Sequence, residues 1–128
     1  ARHELHSSCR VMGHQSNPLP WIKASNILVL PSDYEGFGNV LVEAMACGTQ
    51  VISTNCPDGP AEILQDGEYG QLVPPGNSDA LAHAMHRALS KEFAVPASIL
   101  MSRAGEFSLD RASTAYLAVI HSASHNKT

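Results

Sequence analysis

Two glutamates, Glu35 and Glu43, stand eight positions apart in the segment Glu35-Gly36-Phe37-Gly38-Asn39-Val40-Leu41-Val42-Glu43. Carboxylates on either side of a glycine turn could divide acid and base work between them, or could accept hydrogen bonds from the hydroxyls of a bound molecule. Glu43 is the sole charge in a run formed by Val40, Leu41, Val42, Ala44, Met45, Ala46 and Cys47. A helix of that composition is expected to be buried on most sides. A carboxylate within it must then find donors or be neutralised, because an unpaired buried charge is very costly. The chain offers no Lys or Arg from Ala24 to His86, whereas Asp33, Glu35, Glu43, Asp58, Glu62, Asp66, Glu68 and Asp79 all fall there. The donors open to Glu43 are therefore backbone N–H groups, a distant cation or ligand hydroxyls; a diol such as ribose would present two O–H donors to one carboxylate. The competing assignment is a Glu43 that caps a neighbouring loop.

The glycines sharpen the chemistry without deciding it. Gly36 and Gly38 let the backbone turn sharply and let a ligand come close, with no Cβ in the way. A helix starting there would aim free N–H groups and about half a positive charge at whatever lies before it, which suits a phosphate or diphosphate. Many strand-turn-helix units use glycine only to turn, so both uses stand at this point. A dinucleotide fold is disfavoured: Gly36-Phe37-Gly38-Asn39-Val40-Leu41 lacks the third glycine of that fingerprint, and Ser53-Thr54-Asn55 stands where its acidic residue is expected.

Four β-type runs surround this segment: Cys9–Met12, Ile27–Leu30, Gln50–Ser53 and Gly70–Val73. Helix-compatible pieces lie between them. One opens at Asn17-Pro18, with a cap residue followed by proline. Another spans Asn77 to Glu92, capped at Asn77 or Ser78, with Leu81, Ala84, Met85, Ala88 and Leu89 on one face and His83, His86 and Arg87 turned away from it. His83 and His86, like His121 and His125, read as solvated surface, as do Asp66, Glu68 and Asp79. A last helix is expected over 108–123, with a frayed tail over 124–128. Alternating strands and helices predict an α/β fold with an open parallel sheet.

Composition limits the partners. A chain of 128 residues with 44% hydrophobic and 16% charged residues has room for one ordinary core. No apolar run is long enough to span a membrane. A formal charge of -4 argues against nucleic acid as a partner. Cys9, Cys47 and Cys56 fit no zinc pattern and leave one unpaired in any disulfide scheme, so they read as reduced thiols of a cytoplasmic protein, with Cys47 in the core. The chain opens on Ala1 with neither a signal peptide nor an initiator methionine, as a piece of a longer protein would.

With these residues in view, the chain resembles the C-terminal, donor-binding half of a retaining GT-B glycosyltransferase, specifically family 4 of that enzyme class. The resemblance rests on the E-x7-E pair within Pro31-Ser32-Asp33-Tyr34-Glu35-Gly36-Phe37-Gly38, on Glu43-Ala44-Met45-Ala46-Cys47-Gly48-Thr49, on Gly59-Pro60-Ala61-Glu62-Ile63-Leu64, and on Asp66-Gly67-Glu68-Tyr69-Gly70-Gln71-Leu72-Val73. It implies a Rossmann-like parallel sheet with flanking helices, incomplete at its N-terminus, over 1–107. It also implies a nucleotide diphosphate sugar as donor substrate, with no further cofactor and no metal. Glu35 would contact donor-sugar hydroxyls at the reacting centre and Glu43 would hold the ribose diol. Gly36, Phe37, Gly38 and Asn39 would contact sugar and diphosphate, Val40 would line the pocket, and His14 and Gln15 would lie near the nucleobase. The acceptor, a glycan or glycolipid, would bind an N-terminal domain absent from this sequence, and the whole enzyme would act in polysaccharide or lipopolysaccharide assembly, peripherally at the inner face of a membrane.

Two expectations follow from the same resemblance. The family's basic residues for the diphosphate are missing, which leaves helix N–H groups together with Lys23 or Arg10 for that work. If the four runs correspond to strands 3, 4, 5 and 6 of the order 3-2-1-4-5-6, the strands between the first and second runs are missing. Cys9–Met12 should then pair aberrantly or be poorly ordered, unless another chain fills the gap; intact hydrogen-bonded placement beside the Ile27 strand would contradict this. A non-catalytic nucleotide-binding or interaction module and a GT-B epimerase acting on a UDP sugar are the alternatives, and a nicotinamide oxidoreductase is a distant one.

Overall fold

The computed structural model describes residues 5–107. Its elements are, in order, α1 Leu19–Ala24, β1 Ile27–Leu30, α2 Asn39–Ala46, β2 Gln50–Thr54, α3 Pro60–Ile63, β3 Gln71–Val73, α4 Ser78–Leu89 and α5 Ala97–Gly105. The three strands form one parallel sheet in the order β1-β2-β3, with Ile27 opposite Gln50 and Ile52 opposite Gln71. The α/β class read from alternation is what the chain adopts.

Period-two patterning explains how the sheet is covered on both faces. Leu28, Leu30, Val51 and Leu72 point to one side, where they meet Leu41, Ala44 and Met45 of α2, Ile22 of α1, Ile63 of α3, and Leu100 and Ala104 of α5. Ile27, Val29, Ile52 and Val73 point to the other, against Ala80, Leu81, Ala84, Met85 and Ala88 of α4. Leu41, Met45, Ile52, Ile63, Leu64 and Leu100 are fully buried. Each such side chain contributes about 1.5–3 kcal/mol by leaving water.

Polar ties fix the layers. Thr49 Oγ1 donates to Ile22 O at 2.9 Å, joining α1 to the start of β2, and the buried Gln71 Nε2 donates to Ala84 O at 2.8 Å, joining β3 to α4. The Gln50 side chain brackets Val95, donating to its carbonyl at 2.7 Å and accepting from its N–H at 2.9 Å. That pair sets the path of the connection into α5.

Several expectations need correction. Cys9–Met12 forms no strand and is exposed, with Val11 at 97%. Its β-type composition finds no neighbour to pair with, and strand structure is a property of the pair. Among the described residues the run takes no place beside β1, and it pairs with no strand, aberrantly or otherwise. α1 begins at Leu19 rather than at Pro18, and Asn17 Oδ1 accepts from Leu19 N at 3.3 Å. α4 is capped by Asn77, as expected, but ends at Leu89, which is 57% exposed instead of packed. His83 and His86 are exposed, whereas Arg87 is half-buried, its guanidinium 5.7 Å from the Phe93 ring centre. The three cysteines are free; Cys56 is the buried one and Cys47 is only half-buried against the core. The helix expected over 108–123 and the tail after it lie outside the described residues. Among the described residues no helix is long and apolar enough to cross a membrane.

Candidate functional site

The expected turn forms between β1 and α2, at the carboxyl end of a parallel strand, which is where ligands bind in open α/β sheets. Gly38 occupies the N-cap of α2 with φ 93° and ψ 45°, the left-handed region that glycine enters without penalty. A Cβ there would meet only ordinary contacts, the nearest being Leu41 Cδ1 at 3.5 Å, so conformation and not space calls for glycine. Gly36 differs: its φ is not left-handed and no described residue lies within 4 Å of an added Cβ. The described residues give Gly36 no packing reason to lack a side chain.

The two ends of the sheet's helices are finished differently. α4 has a side-chain cap, Asn77 Oδ1 accepting from Ala80 N at 2.9 Å, and an acid, Asp79, in its first turn. α2 has neither a side-chain cap nor an acid in its first turn, a finish it shares with α1 and α5; α2 alone of these starts at the glycine turn that follows β1. Leu41 N donates to Gly38 O at 2.9 Å, while no chain group among the described residues accepts from the N–H groups of Asn39 and Val40. The positive end of the α2 dipole thus faces the turn uncompensated.

Glu35 is half-buried, and Ser32 Oγ donates to its Oε1 at 2.7 Å, holding the carboxylate over the turn. The Ser-x-x-Glu spacing is the sequence signal of this contact. Glu43 lies in the second turn of α2 and is half-buried, so the expected deep burial is not observed. Its helix buries Leu41, Ala44 and Met45, while Asn39 and Ala46 are exposed, and Glu43 shares that outward side with Asn39 one turn earlier. No hydrogen bond or ion pair from a described residue reaches its carboxylate, and it caps no loop among the described residues. Val40 is half-buried beside the core, and the Phe37 ring packs against Phe107 with ring centres 5.6 Å apart. Phe37 can therefore offer a ligand its backbone, its ring being committed to packing.

His14 is exposed, and Gln15 is half-buried with its Nε2 donating to Met12 O at 2.8 Å. No hydrogen bond joins either to the turn. The structure thus brings together Glu35, the Gly36–Asn39 backbone, Val40 and Glu43, and leaves His14 and Gln15 on a separate segment. A cavity of about 230 Å³ also opens at the carboxyl ends of the strands, lined by Pro31, Asp33, Thr54, Pro74, Asn77 and Leu81. None of the expected donor residues lines it. Thr54 Oγ1 donates to Ser32 O there, tying the end of β2 to the loop that carries Glu35.

Comparison with known proteins gives the family of this arrangement. Residues 1–91 match the family described as glycosyl transferases group 1. An exopolysaccharide phosphotransferase of Streptomyces coelicolor is 41% identical over 90 residues, which is 69% of this chain and 9% of that protein. The lipopolysaccharide core biosynthesis glycosyltransferase LpsE of Rhizobium meliloti is 35% identical over 81 residues, covering 63% of this chain and 24% of the relative. Among solved structures, the lipopolysaccharide outer core galactosyltransferase WaaB superposes with a TM-score of 0.73 at 28% identity, covering 84% of this chain and 31% of that one. The chain spans less than a third of the length of each of these proteins. A parallel sheet with flanking helices, a glycine turn between paired glutamates and a match over residues 1–91 agree, and the chain belongs to the glycosyl transferases group 1 family.

Proposed function

We propose that this chain is the donor-binding portion of a family 4 hexosyltransferase, one that transfers a sugar from a nucleotide diphosphate sugar with retention of anomeric configuration. The observation that carries it is the N-terminus of α2, uncapped and free of acids, beside a glycine at position 36 that packing among the described residues does not require. The free N–H groups at Asn39 and Val40 stabilise the departing diphosphate. Glu35, oriented by Ser32, accepts from hydroxyls of the donor sugar as the anomeric bond breaks, and the outward Glu43 accepts from the ribose diol. His14 and Gln15 approach the base from their own segment.

The relatives named for lipopolysaccharide assembly support a role in bacterial polysaccharide synthesis, with a glycan or glycolipid acceptor held by another domain, in the cytoplasm at the membrane face. On this assignment the 128-residue chain binds donor and does not turn it over. Isothermal titration with UDP-glucose, UDP-N-acetylglucosamine and GDP-mannose tests the proposal. Binding of one of them, lost in Glu43→Ala and weakened in Gly36→Ala, is expected. No binding of any, or undiminished binding by Glu43→Ala, refutes it.

A further inference from the structure

The turn that carries the donor contacts is held from a direction that no family motif indicates. Phe107 and Arg103 lie beyond the residues 1–91 that match the family. Arg103 belongs to α5 and its side chain is only 13% exposed. Its Nε donates to Ile63 O at 3.0 Å and its Nη2 to Glu62 O at 2.6 Å, so the guanidinium fork closes the C-terminal end of α3. Nη1 pairs with Glu106. The guanidinium carbon lies 4.8 Å from the Phe107 ring centre and 5.1 Å from that of Tyr69. Phe107 in turn meets the Phe37 ring edge-on at 5.6 Å.

The other end of α3 completes a ring of contacts. Gly59, its N-cap, lies so close to the turn that an added Cβ would stand 2.0 Å from Phe37 O. Phe37 is thus gripped twice: its backbone by Gly59 at the start of α3, and its ring by Phe107, which Arg103 ties to the end of α3.

We propose that Arg103 and Phe107 are positioning residues for the donor-binding turn, fixing the Gly36–Asn39 N–H groups through Phe37. The proposal rests on the donor-site assignment above, but its structural part is testable without it. The contacts have the required character, since an edge-on aromatic pair and a guanidinium over a ring each favour one geometry over its neighbours. Arginine is suited to the task because its planar fork serves two carbonyls while its flat faces remain available for stacking, which lysine cannot match.

The test uses the 128-residue chain as wild type, Phe107→Leu, Phe107→Tyr and Arg103→Lys. Backbone 15N relaxation is measured at Phe37, Gly38 and Asn39 and, for comparison, at Val51 and Ile52. In Phe107→Leu the turn's order parameters are expected to fall from about 0.85 toward about 0.6, with those of Val51 and Ile52 unchanged. Phe107→Tyr, which keeps the ring, should restore the wild-type values. Arg103→Lys should fall between, and it carries the test should Phe107→Leu fail to fold. Affinity for the nucleotide sugar that the wild type binds should drop roughly three- to ten-fold in Phe107→Leu, in line with the loss of one aromatic pair. Unchanged order parameters in the turn, or an equal fall in β2, would overturn the proposal. Should the wild type bind no nucleotide sugar, the donor assignment fails, while the relaxation data still decide whether the two residues hold the turn.

Discussion

Alanine substitutions at Gly36, Gly38 and Gly59 should rank in a fixed order of stability, because the three glycines differ in what their backbones require. At Gly36 the added methyl enters open space with an ordinary φ, so the cost is close to zero, and restricting the unfolded chain can even contribute about 0.4–1 kcal/mol of stability. At Gly38 the methyl finds room, with no neighbour nearer than 3.5 Å, and only the left-handed φ of 93° opposes it. That conformation costs an L-residue roughly 1–2 kcal/mol. At Gly59 both penalties apply: φ is 116°, and the new Cβ would stand 2.0 Å from Phe37 O and 2.6 Å from Phe37 C. The backbone strain costs about 1–3 kcal/mol, and pushing the turn aside costs about 1–3 kcal/mol more. A loss of about 2–6 kcal/mol is a large part of the 5–15 kcal/mol typical of a domain. Urea unfolding followed by far-UV circular dichroism measures the series, with the slope m checked for constancy. Gly59→Ala within about 0.5 kcal/mol of wild type, the scatter of ordinary surface substitutions, would refute the reasoning, as would Gly36→Ala costing more than Gly38→Ala.

Leu100→Ala should cost about 2–5 kcal/mol in the same denaturation assay, since a fully buried side chain of α5 leaves a cavity against α2; a loss below about 0.5 kcal/mol would mean that α5 is not part of the core. Asn77→Ala removes the cap on Ala80 N and should lower stability by about 1 kcal/mol, whereas Asn77→Gly should cost only a few tenths. Asn77→Ala indistinguishable from wild type would show that the side-chain bond is not what stabilises the start of α4.

How much of this was legible beforehand depends on the range of the interactions involved. Ile27–Leu30 is a strand residue for residue as the sequence predicts, and the Gln50 strand runs one residue further, to Thr54, because short runs rich in apolar and β-branched residues are written locally. Asn77 was read as a cap because its bond reaches only three residues ahead. The run Cys9–Met12 has strand composition and no strand, since composition says nothing about whether a partner edge is available. Glu43 was expected in a buried setting from its apolar neighbours; the rotation of α2 on the sheet instead turns it outward beside Asn39. α5 went unread, because its apolar residues look unremarkable until the Gln50–Val95 bracket leads the chain across α2.

By itself, then, the sequence determined the α/β class, the strand-turn-helix unit at Glu35 to Glu43, and the resemblance to a glycosyltransferase, which the match to the glycosyl transferases group 1 family bears out at that level. Each is a matter of residue type at fixed spacing within one stretch of chain. Only the tertiary structure decided which glycine is required by the backbone and which is not, where the uncapped start of α2 sits relative to the two glutamates, and which distant residues hold the turn. Arg103 stands 66 positions after Phe37, and its effect passes through a ring edge, two carbonyl groups and a close backbone contact. Such contacts depend on how separate layers pack, and packing is set by the whole core.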